Sequence, residues 1–384
     1  MTRMTSDRID LIRLARTDGI GPVNFRRLLA RHGNARAALD ALPHDVARAG
    51  RQALHVPTIV HIEDEIAATA RLGGRLIVWG DPDYPALLSD INDAPPVLSV
   101  MGNAALLSTP GIGIVGARNA SAAGIRMSEA LAAGLAGAGL CVVSGLARGI
   151  DAAAHRASLH AGLTVAAIAG GLDRVYPSEH SALQAEIAEK GCLVTEAPLG
   201  TTPQSRHFPR RNRLIAGITL GSVIVEAAFH SGTLITARLA QSYGRELFAV
   251  PGSPLDPRSR GSNALLRDGA ILTETVSDIL AHLPGHGVSG LSRPSNGPAP
   301  HAPYTVASLT PARKPPPDRP PPSEKALEHV RELLSPTPIP VDDIVSRCQF
   351  SVSAVVAALS ELELGGFAAL LPGGQVVSLP QERQ

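Results

Sequence analysis

The sequence predicts an α/β protein, a Rossmann-like doubly wound parallel sheet flanked by an N-terminal helical module and a C-terminal winged helix. Three observations lead there. From about residue 76 to residue 250, short β-branched runs alternate with amphipathic stretches, and continuous apolar strands joined by helical crossovers make a parallel sheet covered on both faces. The segment before this region has helical spacing, and the segment after it is cut off by a run of prolines. At 384 residues and roughly 100 to 200 residues per domain, several units are expected. Their boundaries read as 1–75, 76–290, 291–322 and 323–384.

In the first unit Leu11, Ile12, Leu14, Phe25, Leu28 and Leu29 fall at helical spacings around T-D-G-I-G-P. The turn Gly19-Ile20-Gly21-Pro22, followed by N-F-R-R-L-L, has the pattern of a SAM-like or helix-hairpin-helix unit, whose glycines let backbone amides approach a phosphate. A helical module that only packs on its neighbour fits the same pattern. The central strands are expected at 76–79, 112–116, 140–144, 164–169, 193–196, 222–227 and 246–250. Helices fall between several of them, among them 121–138 and 149–161, the latter ending at Gly162 as a C-cap.

Ten prolines between residues 295 and 322 forbid helix and disfavour sheet, so this stretch reads as a disordered or polyproline linker. Beyond it, S-E-K-A-L-E-H-V-R-E-L-L, P-V-D-D-I-V-S-R and S-V-S-A-V-V-A-A-L-S-E-L-E read as three short helices. A hairpin turning at Pro372-Gly373-Gly374 completes a winged helix. Its third helix has no Lys, Arg, Asn or Gln and carries two glutamates, which makes it unsuited to a major groove.

Formal net charge is +1, so any affinity for nucleic acid has to come from a local patch. Cys141, Cys192 and Cys348 are scattered and form no C-x-x-C pair, the pattern of reduced, structural thiols. The start M-T-R-M-T-S-D-R lacks a signal h-region, and no apolar run approaches the eighteen or so residues of a membrane span. A soluble cytoplasmic protein without a membrane partner is expected.

Each motif of the central unit lies where a strand stops. They are Gly116-Ala117-Arg118-Asn119, V-V-S-G-L-A-R-G-I-D-A-A-A-H at 142–155, G-G-L-D-x-x-Y-P at 170–177, S-R-H-F-P-R-R-N-R at 205–213, F-H-S-G-T-L-I-T-A at 229–237 and P-G-S at 251–253. Glycine turns that open helices expose N–H groups, so this edge is an anion cradle. In the loop at 205–213, Arg206, Arg210, Arg211 and Arg213 surround His207 and Phe208, offering guanidinium forks beside a ring on which a base can stack.

Enzymatic readings of the 142–155 stretch fare poorly. Ser144, Asp151 and His155 have the letters of a hydrolase triad, but Asp151 and His155 stand at i, i+4 and no G-x-S-x-G elbow presents the serine. Asp151, His155 and His160 lack a third ligand on one helix face. G-A-R-N-A-S-A-A-G fails the dinucleotide fingerprint. No catalytic residue, metal or cofactor is expected; Asp151 suits the first turn of a helix and His155 an internal polar contact.

The motifs G-A-R-N, S-G-L-A-R-G-I-D-A-A-A-H, G-G-L-D-x-x-Y-P, F-P-R-R-N-R-L-I-A-G, S-G-T-L-I-T-A and V-P-G-S, in this order, resemble the DNA processing protein A family (DprA, also called Smf) over about residues 76–280. The resemblance implies a non-enzymatic protein that binds single-stranded DNA, protects it during natural transformation and helps load the RecA recombinase, and that forms a homodimer through its Rossmann-like domain. It implies DNA contacts at Arg118 in the G-A-R turn and in the loop Phe208–Arg213, through Arg210, Arg211, Asn212 and Arg213, with His207 beside them. Ser144, Gly145 and Arg148 are expected nearest the ligand in the turn at 144–151. The alternative is a nucleotide-processing phosphoribohydrolase of similar fold, but the P-G-G-x-G-T-x-x-E loop of such enzymes is here F-H-S-G-T-L-I-T-A, without the P-G-G or the Glu.

Overall fold

The computed structural model describes residues 2–48, 54–229, 231–283, 324–365, 367–371 and 375–379. Four helices open it: α1 (Thr2–Arg16), α2 (Pro22–His32), α3 (Ala35–Arg48) and α4 (Ile59–Arg71). Leu14 and Phe25 bury against Ala35, Ala38 and Leu39, so the apolar spacing on both sides of the glycine turn does close a small helical core. Ile12 and Ile62 pack instead on Leu76 and Val78, which ties this unit to the edge of the sheet.

The sheet contains β1 (Gly74–Val78), β2 (Val97–Gly102), β3 (Gly111–Val115), β4 (Cys141–Ser144), β5 (Thr164–Ala167), β6 (Cys192–Thr195), β7 (Gly221–Ile224), β8 (Glu246–Ala249) and β9 (Ile271–Leu272), in the order β1-β2-β6-β5-β4-β3-β7-β8-β9. From β6 to β9 neighbours are parallel; β2 pairs antiparallel with both β1 and β6. The sequence reading gave a parallel sheet of seven strands and missed β2 and β9. β2 follows Pro95-Pro96 and carries a buried Ser99, which breaks the apolar run, and β9 has only two residues.

The strands are joined by α5 (Ala86–Ser89), which precedes β2, α6 (Ala122–Gly137), α7 (Ile150–Leu159), α8 (Ser181–Lys190), α9 (His207–Ile218), α10 (Thr233–Ser242) and α11 (Arg260–Arg267), and α12 (Val276–Leu280) follows β9. α7 stops at Leu159, and Gly162, at φ 65°, closes the turn that follows. Chain order runs from β3 outward to β6, then returns to β7 on the other side of β3. The topological switch point therefore lies between the carboxyl ends of β3 and β7, where open α/β sheets bind ligands.

The C-terminal unit holds α13 (Glu324–Leu333), β10 (Ile339–Pro340), α14 (Val341–Arg347), α15 (Val352–Leu364), β11 (Ala368–Leu371) and β12 (Gln375–Ser378). β12 pairs with both β10 and β11, the sheet of a winged helix. Its core, with Val330, Ile344, Val355 and Leu359, takes in Ala122 and Ile125 of α6. Arg347 pairs with Glu129 at 3.0 Å and Arg126 with Asp343 at 2.9 Å. The linker at 291–322 and the turn at 372–374 lie outside the described residues.

Candidate nucleic-acid interface

The stretch 205–213 was expected to be a loop; most of it is the first two turns of α9. Pro209 is third in that helix, inside the first turn, where a backbone N–H has no intrahelical partner to lose. Helix formation sorts the basic side chains by face. Arg206 and Arg210 are exposed, whereas Arg211, Asn212 and Arg213 are buried.

Burial decides what each arginine can do. Arg211 donates from Nη1 to Gly145 O and, at 2.9 Å, to Ala167 O, and from Nε to Asn212 Oδ1 at 3.2 Å. Its guanidinium thus holds the ends of β4 and β5 together. Arg213 donates to Asp93 O at 2.9 Å and pairs with Glu196. It is neutralised inside the protein, which corrects its expected place as a free phosphate fork. Asn212 Nδ2 reaches Gly232 O at 3.4 Å, on the turn that opens α10.

The turn after β4 is also filled from within. Asp151 is buried, and its Oδ2 accepts from Gly145 N at 3.1 Å and Ala147 N at 3.4 Å. The chain's own carboxylate occupies the amides that were expected to hold a phosphate. Burial pushes its carboxyl up, against the pull of Arg211 and of the amides of Ala147, Gly145 and Gly116. Ser144 is wholly buried and donates to Ile114 O at 2.6 Å, so its expected position nearest the ligand is not what the fold gives it. Glu226 does the same at the start of α6, accepting from Ser121 N at 3.0 Å and Ser121 Oγ at 2.6 Å.

Two glycines allow this close fit. A Cβ at Gly145 would collide with the Arg211 guanidinium, and one at Gly149, at φ 69°, would strike the carbonyls of Ala117 and Arg118. The G-A-R and S-G-L-A-R-G turns can therefore lie against each other.

Cationic and aromatic groups that remain open gather around Phe208. The Arg118 guanidinium carbon lies 5.2 Å from the Phe208 ring centroid, and the Tyr176 ring stands 5.4 Å from it on a tilted plane. A cavity of about 380 Å³ lies beneath, walled by Arg118, Gly145, Arg148, Arg174, Tyr176 and Phe208. Arg148 is at the rim, paired with Glu179 at 2.5 Å. A crevice of about 640 Å³ adjoins it at the switch point, sharing Arg118, Asn119, Ala147 and Phe208 and adding Arg211, Asn212, Thr233, Arg258 and Arg260. The sequence motifs include Tyr176 without assigning it a role, and Arg260, beyond the P-G-S turn, is not assigned either. Their signal was position, since both follow strand ends.

His207 and Arg210 do not line these two cavities. They face a groove on the other side of α9. Burial, then the charges of Arg206 and Arg210, push the His207 imidazole down, and its Nδ1 accepts from Gln204 N at 3.3 Å.

Residues 75–284 match the family described as DNA recombination-mediator protein A, and residues 5–68 and 314–374 match a DprA-like N-terminal HHH domain and a DprA winged helix domain. The chain belongs to the DNA recombination-mediator protein A family. Among its relatives, Protein Smf of Escherichia coli (strain K12) is 38% identical over 318 residues, 82% of this chain and 80% of its own. DNA processing protein DprA of Streptococcus pneumoniae (strain ATCC BAA-255 / R6) is 44% identical over 202 residues, 52% of this chain and 71% of its own. The X-ray structure of DprA from Streptococcus pneumoniae superposes with a TM-score of 0.60 at 32% identity, covering 71% of this chain and 96% of that one. In this member of the family the arginine of the G-A-R turn sits on the aromatic ring of the F-P-R-R-N-R helix. Among the described residues no helix is long and apolar enough to cross a membrane, and no group of three or more His, Cys, Asp or Glu is placed to hold a metal.

Proposed function

We propose that this protein is a cytoplasmic, non-enzymatic mediator that binds single-stranded DNA in the cavities around Phe208, protects it, and presents it to the RecA recombinase during natural transformation, acting as a homodimer through the sheet domain. The observation that carries the binding reading is the placement of Arg118 over the half-buried Phe208 ring, 5.2 Å from its centroid, at the switch-point crevice. A ring offers a stacking face to an unpaired base, and the guanidinium beside it meets the adjoining phosphate. Family membership and the relatives' names as DNA processing proteins support the cellular role.

A hydrolytic reading is disfavoured by the state of the one acid present. Asp151 is the only carboxylate lining the two cavities among the described residues, and it is held by backbone amides. The test has two arms. Labelled oligothymidine is competed with unlabelled single and double strands at matched phosphate concentration; single strands should win clearly and with little base preference, since a duplex hides its base faces. Equal competition by duplex would overturn the stacking site. Incubation with nucleoside monophosphates should release no base, and release would restore the enzymatic reading.

A further inference from the structure

The glycine turn of the N-terminal unit does not simply pack away. It forms one wall of the groove that holds His207 and Arg210, a space of about 540 Å³. The opposite wall is the start of α9, and Ile168 and Ala169, which line the cavity beneath Phe208, line this groove too. Arg211 joins it to the switch-point crevice. The three spaces thus adjoin one another around the amino end of α9.

Among the described residues, one arginine of the groove, Arg210, has no ion-pair partner. Four arginines line it, at 16, 210, 211 and 213, against Asp18 and Glu196. Arg16 is engaged by Glu65 at 2.8 Å and by Glu196 O at 3.0 Å, Arg213 by Glu196, and Arg211 by two carbonyls. Arg210 stays exposed, beside a surplus of positive charge. The buried Nε of Arg213, in the same wall, has no hydrogen-bond partner. Across the groove Gly19 and Gly21 are exposed, and α2 begins at Pro22 with no side-chain cap and no acid in its first turn. No side chain caps the N–H groups there, unlike those at the start of α6, although Asp18 lines the same groove.

We propose that this groove is a second phosphate subsite for the same single strand. A strand stacked on Phe208 continues over Ile168 and Ala169, and one of its later phosphates settles between Arg210 and the backbone of the turn at 19–21. This rests on the single-strand reading above and extends the track onto the N-terminal unit.

Gly21 gives a clean test. Its φ is −82°, and a Cβ there meets nothing within 4 Å, so Gly21→Glu and Gly21→Lys place opposite charges in the groove without strain. The full chain is titrated with oligothymidines of increasing length. Gly21→Glu should bind the shortest strands as the parent does, lose affinity several-fold for longer ones, and reduce the log-log salt slope for those by about 0.7, one phosphate contact. Gly21→Lys should keep or raise long-strand affinity. Unchanged binding at every length, equal loss at every length, or equal loss in both variants would overturn the subsite. Arg118→Ala, run alongside, should weaken the shortest strands; if it does not, the failure belongs to the primary site.

Discussion

Arg118, in a turn, and Phe208, second in α9, stand ninety positions apart in sequence, yet the guanidinium of one lies 5.2 Å from the ring centroid of the other. The relationship exists because Gly149 lets the G-A-R turn press against the turn that opens α7, while the first turn of α9, with Pro209 third in it, sets Phe208 at the crevice. Arg118 and Phe208 contribute different terms to binding. Phe208→Ala should weaken single-strand binding by about 1 to 3 kcal/mol per stacked base and leave most of the salt dependence. Arg118→Ala should also flatten the log-log salt slope by about 0.7. Filter-binding or anisotropy titrations at several salt concentrations separate the two, and a Phe208→Ala protein with parental affinity would remove the stack.

Arg211 is the contrasting case. Its hydrogen bonds to the carbonyls of Gly145 and Ala167 and its position beside Asp151 make it a tie between two strand ends. Arg211→Met leaves those carbonyls and a buried carboxylate uncompensated, and breaking such a pair from one side costs about 3 to 5 kcal/mol. The expected result is a lowered urea midpoint, with the folded fraction keeping a parental salt slope. A variant of parental stability with a flattened slope would make Arg211 a phosphate contact after all.

This contrast marks how far the sequence could be read. Strand ends were legible because glycines and turn motifs stand there, and the doubly wound arrangement followed. Which arginine of F-P-R-R-N-R is free was not legible. The partners that bury Arg213 and Arg211 are Asp93, Glu196 and two carbonyls, all distant in sequence, and only the helical twist of α9 decides which side chain meets them. The same holds for the turn after β4. Its pattern suits a phosphate, but Asp151, six residues on from Gly145, reaches back and fills it.

Acid should act on the fold through His155. Its imidazole is buried, Nδ1 lies 2.7 Å from Thr164 Oγ1, and burial first, then Arg211, His180 and Arg156, lowers its pKa to about 3. The folded protein therefore holds it neutral while the unfolded chain takes up a proton below the usual histidine value of about 6.5. Its contribution to stability is complete above that value and is lost as pH falls from about 6.5 toward about 3. In that window the slope from this one group approaches about 1.4 kcal/mol per pH unit. Urea unfolding of the parent and of His155→Leu across the range should show the parent losing stability faster, and parallel curves would contradict it.

No described residue of the C-terminal unit lines the cavity under Phe208, the switch-point crevice or the groove that holds His207 and Arg210. What it does touch is the rim: Arg258 donates to Glu332 O at 2.6 Å and to Leu334 O at 2.5 Å, and Asn119 Nδ2 lies 3.4 Å from Glu332 Oε1. Its third helix, α15, offers a duplex no basic or amide side chain. A chain ending near residue 290 should therefore keep its single-strand affinity within a few-fold. Removing the unit takes two carbonyl partners from Arg258, which keeps its ion pair with Asp256 at 3.0 Å, and it bares the face of Ala122 and Ile125, so the shortened protein should be less soluble while its circular dichroism still reports a folded sheet domain. A large loss of affinity in a folded truncation would mean that the winged helix carries part of the strand.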